Sequence, residues 1–296
     1  MKAGFGAVEA RRESEILVAS LLGLRDTELF TKERISLTQS QADDIAAKQQ
    51  RRAQGEPMAY ILEERGFYGL TFRVGPGVLI PRPETELLVA TALGWAEKIA
   101  TKRMDGGANY AEVAPISVLD LCTGSGCVIL SIGANWPPQG ERAWPELRLV
   151  AQDVSPFTRD YFADNATALG LEKCVSWYGG DLFEQINGCF DIIVANPPYI
   201  GRNQGPRADE NVVKYEPDLA LFSGDDGLEL VRRIVAEAPT YLKPSGCLAL
   251  EIGCEQGDEV KGLMQAASFV DVEILTDFSG LDRVVHGCFQ AGNVGL

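Results

Sequence analysis

The chain has 296 residues, 46% of them apolar, and a formal net charge of −15, which allows a well-buried core in one large domain or two. The negative charge is spread along the chain, so a broad electrostatic grip on nucleic acid is not expected and a protein or small-molecule substrate is favoured. No run approaches the roughly 20 apolar residues of a spanning helix, and MKAGFGAVEARRESE has no apolar signal core before its charges, so a cytoplasmic location without membrane association is predicted.

From Ala7 to about Arg52 the pattern is helical. Ile16, Leu17, Ser20, Leu21 and Leu24 recur at three- and four-residue steps, Gly23 marks a helix end, and a second helix runs from a cap at Thr38 to Gln54. No titratable cluster converges here, so residues 1–66 are read as a small helical domain that docks a partner. Residues 67–83 read as a hairpin connector. Its strands, Phe67 to Phe72 and Val78 to Ile80, are set apart by Gly75, Pro76 and Gly77. Pro83 to Glu86 has the proline and acidic residues of a first helical turn, and the helix continues through Trp95. Arg82, Glu84 and Glu86 fit either a substrate contact or ordinary capping and pairing.

After a Gly-rich loop at Asp105 to Ala108, strands and helices alternate, so 84–296 reads as a doubly wound α/β domain. Strands are predicted at Ile116 to Leu121, Leu147 to Gln152, Val175 to Tyr178, Asp191 to Ala195, Cys247 to Ile252, Val270 to Leu275 and Arg283 to Gln290. Helices are predicted at Gly126 to Asn135, Ser155 to Leu169, Leu228 to Leu242 and Gln256 to Ala267, with a long loop from Gly201 to Asp226. The last two strands are joined only by Thr276 to Asp282. They should therefore pair antiparallel, giving a mostly parallel seven-stranded sheet with its last strand reversed.

The seven cysteines at 122, 127, 174, 189, 247, 254 and 288 form no CxxC pair, and there is a single histidine. Buried free thiols are predicted, and no metal site. His286, in the last strand, is read as structural.

Chemistry concentrates at strand ends. Cys122, Thr123, Gly124, Ser125 and Gly126 form a small-residue turn that lets backbone approach a ligand at a helix start, without the lysine of a phosphate loop. Asp153, at the next strand end, suits a ribose diol, or a helix cap before Ser155. Asp181, after Gly179 and Gly180, suits an adenine amine. Asn196, Pro197, Pro198 and Tyr199 end the fourth strand. The two prolines stop it and remove two donors, leaving the carbonyls of Asn196 and Pro197 and the Asn196 side chain as acceptors for a planar NH2 group. All four signals lie where parallel sheets bind ligands.

The series DLCTGSG, AQDVSP, GGDLF and NPPYI resembles the class I S-adenosylmethionine-dependent methyltransferases with an NPPY motif. The stretches GEPMAYILEERGFYGLTFRVGPGVLIPRPETE, YEPDLALFSGDDGLE, EIGCEQGDEV and LDRVVHG resemble, more narrowly, the release factor glutamine methyltransferases of the PrmC/HemK family, from about Arg11 to Gln290. This resemblance implies methylation of the glutamine amide in the Gly-Gly-Gln loop of class-1 peptide chain release factors, with an N-terminal helical domain that helps hold the protein substrate. It places the cofactor loop on Cys122 to Gly126, the ribose acid on Asp153, the adenine-side segment on Asp181 and Leu182, and the amide clamp on Asn196 to Tyr199. Cys122 stands where many relatives have glycine, and Leu182 where some have tryptophan. The implied reaction is in-line attack of the amide nitrogen on the sulfonium methyl, with Asn196 and the Pro197 carbonyl holding its hydrogens and Tyr199 shielding the site. A ribosomal protein glutamine methyltransferase and an adenine-N6 methyltransferase acting on nucleic acid share NPPY. The RPETE and EIGCEQG stretches fit the first less well, and the acidic charge makes the second less fitting.

Overall fold

The computed structural model describes residues 7–24, 36–104, 113–137, 144–203 and 210–290. The glycine-rich loop predicted at 105–108 lies outside these residues, as do parts of the loops around 138–143 and 204–209.

Helices α1 (Ala7–Leu22) and α2 (Gln39–Ala53) pack against each other. Thr38 caps α2 as predicted: its hydroxyl accepts the Gln41 N–H while the Gln41 side chain accepts the Thr38 N–H. Arg52 of α2 closes on Glu13 of α1 through two hydrogen bonds of 2.9 and 2.7 Å. A short helix, α3 (Met58–Leu62), then leads into a hairpin of β1 (Glu64–Phe67) and β2 (Leu70–Arg73).

This hairpin corrects the predicted one. Its turn is Tyr68-Gly69, both with positive φ (49° and 75°), the twist a two-residue hairpin needs. Phe67 to Phe72 therefore spans the hairpin turn rather than one strand, and Val78 to Ile80 is not a strand. Val78 and Ile80 are buried in a separate cluster with Ala59, Tyr60 and Val74, where the Tyr60 hydroxyl donates to the Val78 carbonyl at 2.5 Å. The alternation of apolar residues there reflects packing on α3, not a sheet face. Asn165 fastens the hairpin to the main domain, accepting the Arg73 N–H at 2.7 Å and donating to the Arg73 and Ser125 carbonyls.

A 3-10 turn, Pro83–Thr85, begins α4 (Glu86–Met104), with proline at the first position as expected. Then follow β3 (Ile116–Leu121), α5 (Cys127–Ala134), β4 (Leu147–Asp153), α6 (Thr158–Ala168), β5 (Val175–Gly179), β6 (Phe190–Ala195), α7 (Glu210–Tyr215), α8 (Asp218–Leu221), α9 (Glu229–Tyr241), β7 (Leu242–Glu251), α10 (Gly257–Ala266), β8 (Phe269–Thr276) and β9 (Asp282–Phe289). The sheet order is β5-β4-β3-β6-β7-β9-β8, parallel except for β9, which runs antiparallel to both of its neighbours. This is the doubly wound, seven-stranded arrangement predicted.

β3 and β6 are buried at every position, and period two divides their side chains between the two faces. Leu119, Leu121, Ile193 and Ala195 pack with Val231, Ile234 and Val235 of α9 and Val260 and Met264 of α10. Val118, Ile192 and Val194 pack on Leu88, Val89 and Ala92 of α4 and on Ile129 and Leu130 of α5. Chain direction out of the sheet reverses between β3 and β6, so the loops after these two strands diverge and leave a crevice.

Candidate active site

The turn after β3 is held open by its own backbone. Cys122 adopts a left-handed conformation (φ 58°) and Gly124 and Gly126 follow at 57° and 84°. A side chain is tolerated at 122 because its thiol packs against the core at the root of the loop, and burial pushes that thiol well above its ordinary range. Gly124 faces open space where a Cβ would stand, whereas a Cβ on Gly126 would meet Phe162 at 2.6 Å and Leu130 at 2.9 Å. Gly126 is thus required by packing, and Gly124 leaves room for a ligand.

Thr123 turns inward and donates to Asp120 at 2.7 Å. Asp120 is fully buried, and that burial raises its carboxyl to about 7 against the Thr123 and backbone hydrogen bonds that oppose it. Ser125 is buried with its Oγ unpartnered among the described residues.

Asp153, at the end of β4, is buried and accepts with both carboxylate oxygens, while the helix that follows takes Phe157 rather than Asp153 as its cap. One oxygen accepts the Gly124 N–H and the other the Ser155 N–H, each at 2.8 Å, so it ties the two loops together while its remaining lone pairs face a cavity. Burial raises its pKa more than these bonds lower it. Asp181 is exposed and pairs with Arg233 of α9 at 2.8 Å; Leu182 beside it is buried with φ 48°.

Cys122, Gly124, Gln152, Asp153, Asp181 and Leu182 line one cavity of about 310 Å³, together with Asn196 and Pro198. Gln152 presents an Oε1 that is buried without a partner among the described residues, while its Nε2 donates to the Gly180 carbonyl. Asn196 also lines a second cavity of about 330 Å³, with Arg82, Tyr199, Gln256 and Arg283. A small cavity of about 30 Å³ touches Asn196, Thr85, Asp120 and Gly124. Asn196 is therefore a wall shared by two chambers.

The NPPY corner is braced from behind. Ile200 bridges to Phe222, the Gln256 amide donates to the Tyr199 carbonyl at 3.0 Å, and Gly227 approaches so closely that a Cβ there would lie 2.1 Å from that carbonyl oxygen. Pro197 and Pro198 are buried; Pro198 touches the first chamber, Tyr199 the second, and Pro197 lines neither. The Tyr199 ring is largely buried, which raises its hydroxyl pKa.

Around the site, Thr85, Glu216 and Glu251 carried no role in the sequence reading, and Arg82 and Glu86 carried only an open one. Thr85 accepts from the Asn196 amide at 3.2 Å, and Glu251, at the end of β7, is buried with its Oε2 unpartnered among the described residues. Glu216 accepts the Ile80 N–H at 3.0 Å and pairs with Arg82, which lines the second chamber. Glu86 accepts the Tyr68 N–H at 2.8 Å and so caps the hairpin turn. All of these stand in the PRPETE, YEPDL and EIGCEQG stretches, so the signal was a string of residues without individual meaning. His286 is buried edge-to-face on Trp95, away from both chambers, and burial lowers its pKa. Of the cysteines, only Cys247 is buried; Cys174, Cys189 and Cys254 are exposed because they occupy turns flanking strands, so the expectation of buried thiols fails for these three.

Among the described residues no helix is long and apolar enough to cross a membrane. Residues 3–62 match the family model described as the PrmC N-terminal domain. The chain is 33% identical over 285 residues to the release factor glutamine methyltransferase of Pasteurella multocida, covering 96% of this chain and 92% of that one. It is 38% identical over 278 residues to that of Burkholderia pseudomallei, covering 93% and 90%. Among solved structures, the hMettl16 catalytic domain in complex with the MAT2A 3'UTR hairpin 6 superposes with a TM-score of 0.53 at 14% identity, over 88% of this chain and 86% of that one, a likeness of fold alone.

Proposed function

We propose, from the premise that this chain belongs to the release factor glutamine methyltransferase family, that it moves a methyl group from S-adenosylmethionine to the side-chain amide nitrogen of the glutamine in the Gly-Gly-Gln motif of class-1 peptide chain release factors. The observation that carries this reading is the position of Asn196 between two chambers, one lined by the loop after β3 and by Asp153, the other by Tyr199 and Arg283. A donor and an acceptor bound on either side of it meet at one amide.

The first chamber suits the cofactor. Asp153 retains lone pairs for a ribose diol, the open face of Gly124 admits a ligand against backbone, and the unpartnered Gln152 Oε1 awaits a donor. Cys122, Thr123, Ser125 and Gly126 shape the turn, and Asp181 and Leu182 close the base side. When bound, the cofactor supplies an electrophilic sulfonium methyl. The chain's own part is orientation. The Asn196 Oδ1 and the Pro197 carbonyl accept the two amide hydrogens, which aims the nitrogen lone pair at the methyl and polarises a poor nucleophile. Pro198 and Tyr199 fix the corner and exclude water.

The helical segment 1–66 docks the release factor, the hairpin segment 67–83 joins it to the catalytic domain 84–296, and the enzyme works in the cytoplasm; the family match over residues 3–62 supports the first of these. The test is to incubate the protein with S-adenosylmethionine and a class-1 release factor and examine the Gly-Gly-Gln peptide by mass spectrometry. One added methyl on that glutamine is expected. An unmodified glutamine, with the label on another residue or on none, overturns the reading.

A further inference from the structure

The sheet sets two of the seven cysteines side by side. Cys247 of β7 and Cys288 of β9 stand directly opposite each other in an antiparallel ladder, and their Sγ atoms lie 3.0 Å apart. Both thiols are free. Opposed residues of such a ladder have Cα atoms about 4.5 to 5.5 Å apart and side chains on the same face, within the span that a disulfide bridges. Joining these two sulfurs therefore asks for no change of register.

The two thiols are not equivalent. Cys247 is 1% exposed, whereas Cys288 is half-buried and stands opposite Val270 of the edge strand β8, which is exposed. A small oxidant arriving from water meets Cys288 first. The hydrogen bond from Cys247 brings the Cys288 thiol below its ordinary value against burial and Asp271 of β8, and Lys98 and Lys102 of α4 add to the lowering. The same bond, together with burial, keeps the proton on Cys247. One sulfur is thus placed as the nucleophile and the other as the thiol that resolves its oxidised form.

We infer that Cys247 and Cys288 form a reversible dithiol site, oxidised by hydrogen peroxide to a disulfide that ties β9 to β7. The Cys288 thiolate attacks one peroxide oxygen, the O–O bond breaks, and the departing hydroxide takes up a proton as water, leaving a sulfenic acid. The Cys247 sulfur then attacks the Cys288 sulfur. The S–S bond forms, the S–O bond breaks, and the hydroxyl leaves with the Cys247 proton as a second water. Two thiols lose two electrons, and one peroxide becomes two waters. A thiol reductant restores the pair by exchange.

The bond would close a loop across 41 positions that holds α10, β8 and β9. β9 is the strand on which β8 depends, since β8 pairs with no other, and it carries Arg283 into the second chamber. Cys247 lies four residues before Glu251, about 13 Å back along β7 from the crevice end. The disulfide is accordingly a staple behind the site.

The test treats the full, reduced chain with about one equivalent of hydrogen peroxide, blocks the remaining thiols with iodoacetamide, and maps peptides by mass spectrometry without reduction. A linked pair of peptides carrying Cys247 and Cys288 is expected. Tm should rise by about 5 °C over the reduced protein, dithiothreitol should reverse both changes, and S-adenosylmethionine affinity measured by calorimetry should stay within about twofold. Cys288→Ser is expected to lose the link and the rise in Tm together. The proposal is overturned if both cysteines are still alkylated after peroxide, if Cys288 proceeds to sulfinic acid without a link, or if Cys174, Cys189 or Cys254 supplies the link instead. A linked protein that melts no higher than the reduced one, or that loses cofactor affinity beyond twofold, overturns the staple. Should Cys288→Ser not fold, the peptide map and melting of the unaltered chain decide alone.

Discussion

The two ends of the central strands treat their carboxylates in opposite ways. At the amino end, Asp191 opens β6 and is saturated: Ser117 donates to it from backbone and hydroxyl at 2.9 and 3.0 Å, Lys243 at 2.8 Å, and Arg103 closes the set. Burial alone would raise its pKa, but the bond from Lys243, the Ser117 backbone and the Arg103 charge bring it below the ordinary value. At the carboxyl end, Asp120 and Glu251 are fully buried with few donors, and both rise to about 7. One end of the sheet is built to hold; the other keeps acceptors unspent, at a cost in stability, where a ligand can use them.

The largest expected effect lies at the open end. Asn196→Ala should lower kcat by roughly a hundredfold to a thousandfold, about 3 to 4 kcal/mol in barrier, with little change in urea unfolding; turnover within about tenfold of the original would break the contrast. At the closed end the pattern inverts. Asp191→Ala should cost about 3 kcal/mol of unfolding free energy, because it leaves Arg103 and Lys243 without their shared partner, while kcat per folded molecule stays unchanged.

Gly126→Ala combines a clash on Phe162 with a positive φ and should cost about 2 kcal/mol and weaken cofactor binding; Gly124→Ala, with open space at its Cβ, should weaken binding more than it destabilises. The pH dependence of stability sharpens the comparison further. Asp191, with a lowered folded pKa, contributes stability that is present above its unfolded value of 3.8 and lost as pH falls through its folded one. Asp120 and Glu251, with raised pKa values, bind protons in the folded state that the unfolded chain releases, so stability should decline as pH rises from about 4 to 7. Asp120→Asn should flatten that decline in thermal melts from pH 4 to 8, and an unaltered slope would show that Asp120 titrates normally. The smallest effect is at Cys122, where exchange for glycine relieves a left-handed backbone but loses thiol packing, leaving stability within about 1 kcal/mol.

The strands were legible because burial on both faces leaves little choice: β3 and β6 are short, mostly apolar runs, and no helix of that length would end at NPPY. The reversed last strand was legible from the shortness of the turn before it. The hairpin was not, since Val78 and Ile80 alternate for a different reason, their burial against Tyr60, and the real turn at Tyr68-Gly69 has no strong turn signature in its first residue. In the site, Asp153 and Asn196 were legible from their place after strands. Thr85 was not, because its partner Asn196 stands 111 positions away in the chain, which no local pattern encodes.

β9 is inserted between β7 and β8, although it follows both in the chain. Its Val284 stands opposite Glu251 and its Arg283 carbonyl receives the Ile252 N–H at 2.9 Å. The floor beneath the amide clamp is consequently laid last. During synthesis β8 has no strand to join until β9 emerges behind it, so this edge of the sheet cannot close before Phe289 has been made.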